Sequence, residues 1–111
     1  MDKAAVKLDK KTVYEIIKYM HESLRKYGIK DNHIALFGSF HRDNSHENSD
    51  IDMIIISDSF EGKNLFERIN MTLKAESDVR SRYIAPMDIL LKTPQEYDYS
   101  RKAYFNSEII I

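Results

Sequence analysis

Cysteine is absent from this 111-residue chain, which excludes disulfides, thiolate metal sites and cysteine nucleophiles together and leaves the redox compartment undetermined by thiol usage. Long apolar runs are absent as well. The N-terminal Met1-Asp2-Lys3-Ala4-Ala5-Val6-Lys7 has no apolar core of signal-peptide length, and nothing approaches the ~20 apolar residues of a membrane span. The expectation is a cytoplasmic protein with no membrane role. Excess charge of one sign is also missing: 17 Lys and Arg stand against 18 Asp and Glu, a net charge of −1, with a pI near 6.4. The broad positive field that drives binding to nucleic acid phosphates is therefore lacking. Repeats, linkers and low-complexity segments do not occur, and the length suits one small domain, residues 1–111, built on a single core.

What is present is an alternation of helical and extended patterning. Val13, Ile16, Ile17, Met20 and Leu24 recur at helical spacing and predict a helix from Lys10 to Tyr27, capped by Asp9 and ended by Gly28. Ile34 to Phe37 reads as a buried strand that breaks at Gly38, and a short helix is expected to begin at Ser39. The polar segment Asp43 to Ser49 predicts a solvated loop. Asp50 to Ser57 is a second strand, followed by a turn at Glu61-Gly62-Lys63. Asn64 with Glu67 three residues on marks the start of a helix. Its apolar positions Leu65, Phe66, Ile69 and Leu73 predict the packed face, leaving Glu67, Arg68, Lys74 and Glu76 for water. Tyr83 to Leu91 is expected to be a third strand with an irregular or edge start at Pro86. Thr93-Pro94-Gln95-Glu96 combines a capping box with proline at the first helical position and opens a last helix ending near Tyr104, with Tyr97, Tyr99 and Tyr104 as its packed aromatic face. The tail Ser107 to Ile111 is either a short strand or an exposed apolar end.

The chemistry concentrates between Gly38 and Asp52. Gly38-Ser39-Phe40 supplies a turn where backbone can approach a phosphate closely, with the free N–H groups of a helix start behind it. Period-two geometry places Asp50, Asp52, Ile54 and Ile56 on one strand face and Ile51, Met53 and Ile55 on the other, so the Asp pair projects together. Two carboxylates about 4 Å apart repel by roughly 4 kcal/mol at an effective dielectric near 20, and such a pair ordinarily binds a cation or keeps a proton. Magnesium suits a few carboxylates supplemented by phosphate oxygens and water. Taken alone, Asp-x-Asp at a strand entrance also fits a solvated turn. His41 and His46, beside Asp43 and Glu47, are expected to be exposed loop residues rather than ligands, as are His21 and His33 elsewhere.

The wider arrangement comprises Gly38-Ser39, Arg42, a ten-residue spacer from Phe40 to Ser49, Asp50-Ile51-Asp52, and Asp88 within Pro86-Met87-Asp88-Ile89-Leu90-Leu91. It resembles the minimal nucleotidyltransferases of the DNA polymerase β-like superfamily, found in HEPN/MNT toxin–antitoxin pairs. The resemblance runs from the strand before Gly38 to the strand of Asp88, about half the chain. It implies an α/β (α+β) fold, a small mixed sheet with helices packed on it. One position departs from the pattern: Asp43 stands where the family usually has Gly, which reduces backbone freedom and adds negative charge near the expected triphosphate.

The resemblance implies roles as well. Asp50, Asp52 and Asp88 are the expected catalytic and metal-binding residues, holding one or two Mg2+ ions with ATP as substrate, and Asp88 helps deprotonate the acceptor hydroxyl. Gly38, Ser39 and Arg42 are expected to contact the phosphates. The implied reaction transfers AMP to a hydroxyl, with a tyrosine of a small helical HEPN-type toxin as acceptor and the chain as antitoxin. Larger relatives hold the acceptor with an added domain, so a chain this short must rely on a partner or on the acceptor's own shape. The alternatives are a non-catalytic antitoxin or binding module with a vestigial site, and a small-molecule transferase of the aminoglycoside-modifying kind. Homo-oligomerisation is left open.

Overall fold

The computed structural model describes residues 9–37, 50–100 and 107–111. Helix α1 spans Lys10–Lys26. Its start is fixed by the Asp9 carboxylate, which accepts from the Thr12 backbone N–H at 2.8 Å, and Arg25 and Lys26 in its last turn complement the helix dipole. Gly28, at φ +100°, takes the left-handed conformation that ends it, and the Ile29 N–H returns to the Leu24 carbonyl at 2.9 Å. The expected end at Tyr27 is thus the cap of a helix one residue shorter.

Strand β1 covers Asn32–Phe37, two residues earlier than the apolar run suggested. Asn32 is buried because its side-chain amide donates to the Ile29 carbonyl at 2.8 Å, which lets a polar residue begin the strand. Strand β2 covers Ile51–Ser57, followed by a 3-10 turn over Asp58–Phe60 that buries Phe60 completely. Helix α2 spans Leu65–Arg82 behind the expected capping box, with Asn64 and Glu67 exchanging hydrogen bonds at 2.8 and 3.0 Å. Strand β3 is Met87–Lys92, helix α3 is Pro94–Ser100 and strand β4 is Glu108–Ile109. The expected strand over Tyr83 to Leu91 is therefore too long at its start. Proline has no N–H to add to a ladder, and pairing begins at the Pro86 carbonyl, which accepts from the Ile51 N–H at 2.9 Å.

The strands form one mixed sheet in the order β3-β2-β1-β4. β1 runs antiparallel to β2 and β4, and β2 runs parallel to β3, the crossover between the last two being the turn and α2. The tail resolves as a strand, its last two residues bonding to Ile34 of β1. Helices α1 and α2 cover one face of the sheet, where Val13, Ile16, Ile17, Met20 and Leu24 meet Ile34, Leu36, Ile51, Met53 and Ile55. The other face carries a smaller cluster of Ala35, Ile54, Ile56 and Tyr97, with Phe37 and Leu90 against it. The period-two assignment of β2 holds, and it is the second face that receives Asp52 and, through the β2–β3 register, Asp88.

Helix α2 departs from expectation. Its buried residues are Thr72, Ala75 and Val79, while Leu65, Phe66, Ile69 and Leu73 are exposed. The isoleucine-rich strands and Phe60 already fill the core, and the small residues of α2 fit the space that remains. Arg68 is not left to water either. Its guanidinium donates to both oxygens of Glu96 at 2.5 and 3.1 Å and to the Leu91 carbonyl at 3.2 Å, tying α2 to β3 and α3. In α3, Tyr97 is buried as expected and bonds to Ser107 at 2.9 Å, but Tyr99 is exposed. The expected helix from Ser39, the loop Asp43 to Ser49 and Tyr104 lie outside the described residues.

Candidate active site

The site is set by strand register. Asp52 is the second residue of β2 and Asp88 the second of β3, and the parallel ladder pairs their Cα atoms directly. Adjacent strands lie about 4.8 Å apart and paired residues point to the same face, so the two carboxylates rise side by side above Ile54 and Leu90, the next pair along. Asp50 is exposed and immediately precedes β2, two residues from Asp52. On the opposite flank Asp52 pairs with Phe37, the last residue of β1. Gly38, Ser39 and Arg42 follow that strand in sequence and lie outside the described residues, as do His41, Asp43 and His46.

Burial pushes the Asp52 carboxyl above its ordinary value, with the charges of Asp88 and then Asp50 adding to the effect. That carboxylate therefore feels both partners. Asp88 interrupts an apolar strand, yet it is exposed: among the described residues the strand's second face is covered farther along, where Tyr97 packs. Asp52, half-buried between strands, carries the desolvation instead. Among the described residues Asp88 makes no ion pair with a basic side chain.

Three carboxylates on one face, with no described cation beside them, make a hard-oxygen donor set of the kind that magnesium accepts together with phosphate oxygens and water. Among the described residues no three acidic, histidine or cysteine side chains stand close enough to hold an ion by themselves, so an ion here needs further ligands such as phosphate oxygens and water. His21 is engaged with Asn32 at 2.7 Å and His33 with the Ile111 carbonyl at 3.3 Å. The floor beneath the aspartates, Ile54, Leu90, Ala35 and Tyr97, is the part of the site that motif reading missed. Its signal was the same alternation that located the carboxylates, extended one pair along the strands.

No helix among the described residues is long and apolar enough to cross a membrane. No curated protein matches the chain. Among solved structures, one similar protein, from Sulfolobus solfataricus and assigned as a nucleotidyltransferase, is 16% identical over 90% of this chain and 80% of its own, with a TM-score of 0.66. A second protein with the same assignment is 26% identical over 86% of this chain and 97% of its own, at a TM-score of 0.58. A third, a toxin–antitoxin structure with AMP-PNP, reaches a TM-score of only 0.46 at 24% identity over 68% of this chain and 56% of its own. The nucleotidyltransferase domain family matches residues 8–110, and with nearly the whole chain inside that match and the fold shared, this protein belongs to that family.

Proposed function

We propose that the chain transfers AMP from ATP to a hydroxyl acceptor, a tyrosine on a small helical HEPN-type partner toxin, and thereby acts as an antitoxin. The observation that supports this reading is the β2–β3 register: Asp52 beside Asp88, with Asp50 just ahead, in a nucleotidyltransferase chain. Asp50, Asp52 and Asp88 would hold one or two magnesium ions, which when bound supply the positive charge that stabilises the attacking and leaving oxygens. Asp52, fixed between two strands, orients that end of the triphosphate. Asp88, open to solvent, takes the proton of the acceptor hydroxyl as its oxygen attacks the α-phosphorus and pyrophosphate leaves. Gly38 and Ser39 bind phosphate oxygens through backbone N–H and hydroxyl groups, and Arg42 offsets their charge.

A second reading is a non-catalytic antitoxin that neutralises its partner by contact. It is favoured by Asp43, whose charge and restricted backbone oppose triphosphate binding. Incubation with magnesium, the partner and ATP labelled at either the α or the γ phosphate separates the two. The enzyme should move α label, and no γ label, onto the partner, and Asp88→Asn should still bind the partner while transferring nothing. A wild-type protein that binds the partner and transfers no label would establish the second reading.

A further inference from the structure

Helix α2 leaves its strongest apolar residues in water: Leu65 is 65% exposed, Phe66 72%, Ile69 44% and Leu73 56%. They follow one another at helical spacing and form a single stripe, and a contiguous exposed apolar patch of this kind is where an interaction site is sought. The stripe borders an open groove of about 680 Å³ between α2 and α3, lined by Lys63, Leu65, Arg68 and Tyr99 among others.

The charges flanking the stripe indicate what covers it. Lys63 shares the groove with Leu65 and Arg68, so it stands on that flank at the N-terminal end. Glu76 lies toward the same flank at the C-terminal end, one turn beyond buried Thr72, whose hydroxyl it accepts with one carboxylate oxygen at 2.7 Å. The two are thirteen positions apart, about 20 Å of helix, and cannot meet within one chain. If two α2 helices are laid antiparallel with Ile69 at the centre, Leu65 of each copy faces Leu73 of the other, and Lys63 of each comes within one position of Glu76 of the other, inside the reach of their side chains. The stripe is self-complementary in both shape and charge, as a two-fold interface requires.

We propose that the chain forms a two-fold homodimer through α2, with the Leu65–Ile69–Leu73 stripe as its core and reciprocal Lys63–Glu76 ion pairs at its ends. One helix face is small for a dimer interface, so association is concentration-dependent. Sedimentation over a concentration series should show mass rising from 13.1 kDa towards twice that value. Leu73→Glu, on the exposed face, should keep its thermal midpoint and remain monomeric. Lys63→Glu and Glu76→Lys each oppose like charges and should lower the dimer fraction, whereas the two reversals together should restore it. A wild type that stays monomeric at every concentration overturns the proposal, as does a double reversal no better than the singles. It is equally overturned if Leu73→Glu alters only the binding of a helical partner protein, since the stripe would then belong to that partner.

Discussion

Asp52 shows how a cluster of carboxylates opposes the fold that carries it. With its carboxyl held above the ordinary value by burial and by Asp88 and Asp50, the folded chain takes up a proton more readily than the unfolded one. The ionised form therefore costs stability at neutral pH, and the cost is relieved as pH falls through the folded-state value. Asp52→Asn should accordingly raise the thermal midpoint of the ligand-free protein by a few degrees at pH 7, and the gain should shrink as the buffer is acidified. An Asp52→Asn midpoint below that of wild type would mean that the carboxylate is held by a favourable contact instead. Side-chain direction at this scale was legible in the sequence, since alternation put Asp50 and Asp52 on one face of their strand. Which aspartate bears the desolvation was not, because that depends on how far α3 covers the sheet.

The secondary elements divide into those that local chemistry specifies and one that it misleads. Asp9 before α1, Asn64 with Glu67 before α2 and Thr93 with Glu96 before α3 all cap as their sequences suggested, because a cap needs only neighbours. The face of α2 could not be found in this way. Leu65, Phe66, Ile69 and Leu73 are the more apolar set, but the core had room only for Thr72, Ala75 and Val79, which are about a quarter-turn away on the helix, and Arg68 turned inward to Glu96. That ion pair has a pH signature. Hydrogen bonds from Arg68, and then from the Thr93 backbone, hold the Glu96 carboxyl down at about 2, against ~4.3 in an unfolded chain. Its contribution is fully present above the unfolded value and is lost as pH falls towards the folded one. Glu96→Gln should lower stability near neutrality and reduce the slope of acid unfolding between those two values. An unchanged slope would show that solvent screens the pair completely, since Glu96 remains partly exposed.

At the scale of the whole molecule, helices α1 and α2 bury one face of the sheet while, among the described residues, α3 covers part of the other and the three aspartates stand beyond it. That division was within reach of the sequence for the sheet and the carboxylate face; the strand order and the parallel β2–β3 pairing, which bring Asp52 to Asp88, are non-local and were not. The central claim is that these aspartates are a magnesium–triphosphate site, and ligand-linked stability measures it directly. Magnesium with ATP at about one hundred times the dissociation constant should stabilise the wild type by roughly 2.7 kcal/mol, on the order of 10 °C in midpoint. Asp52→Asn should start from a higher midpoint and lose most of that shift. Equal shifts in wild type and Asp52→Asn would place the nucleotide elsewhere and contradict the account.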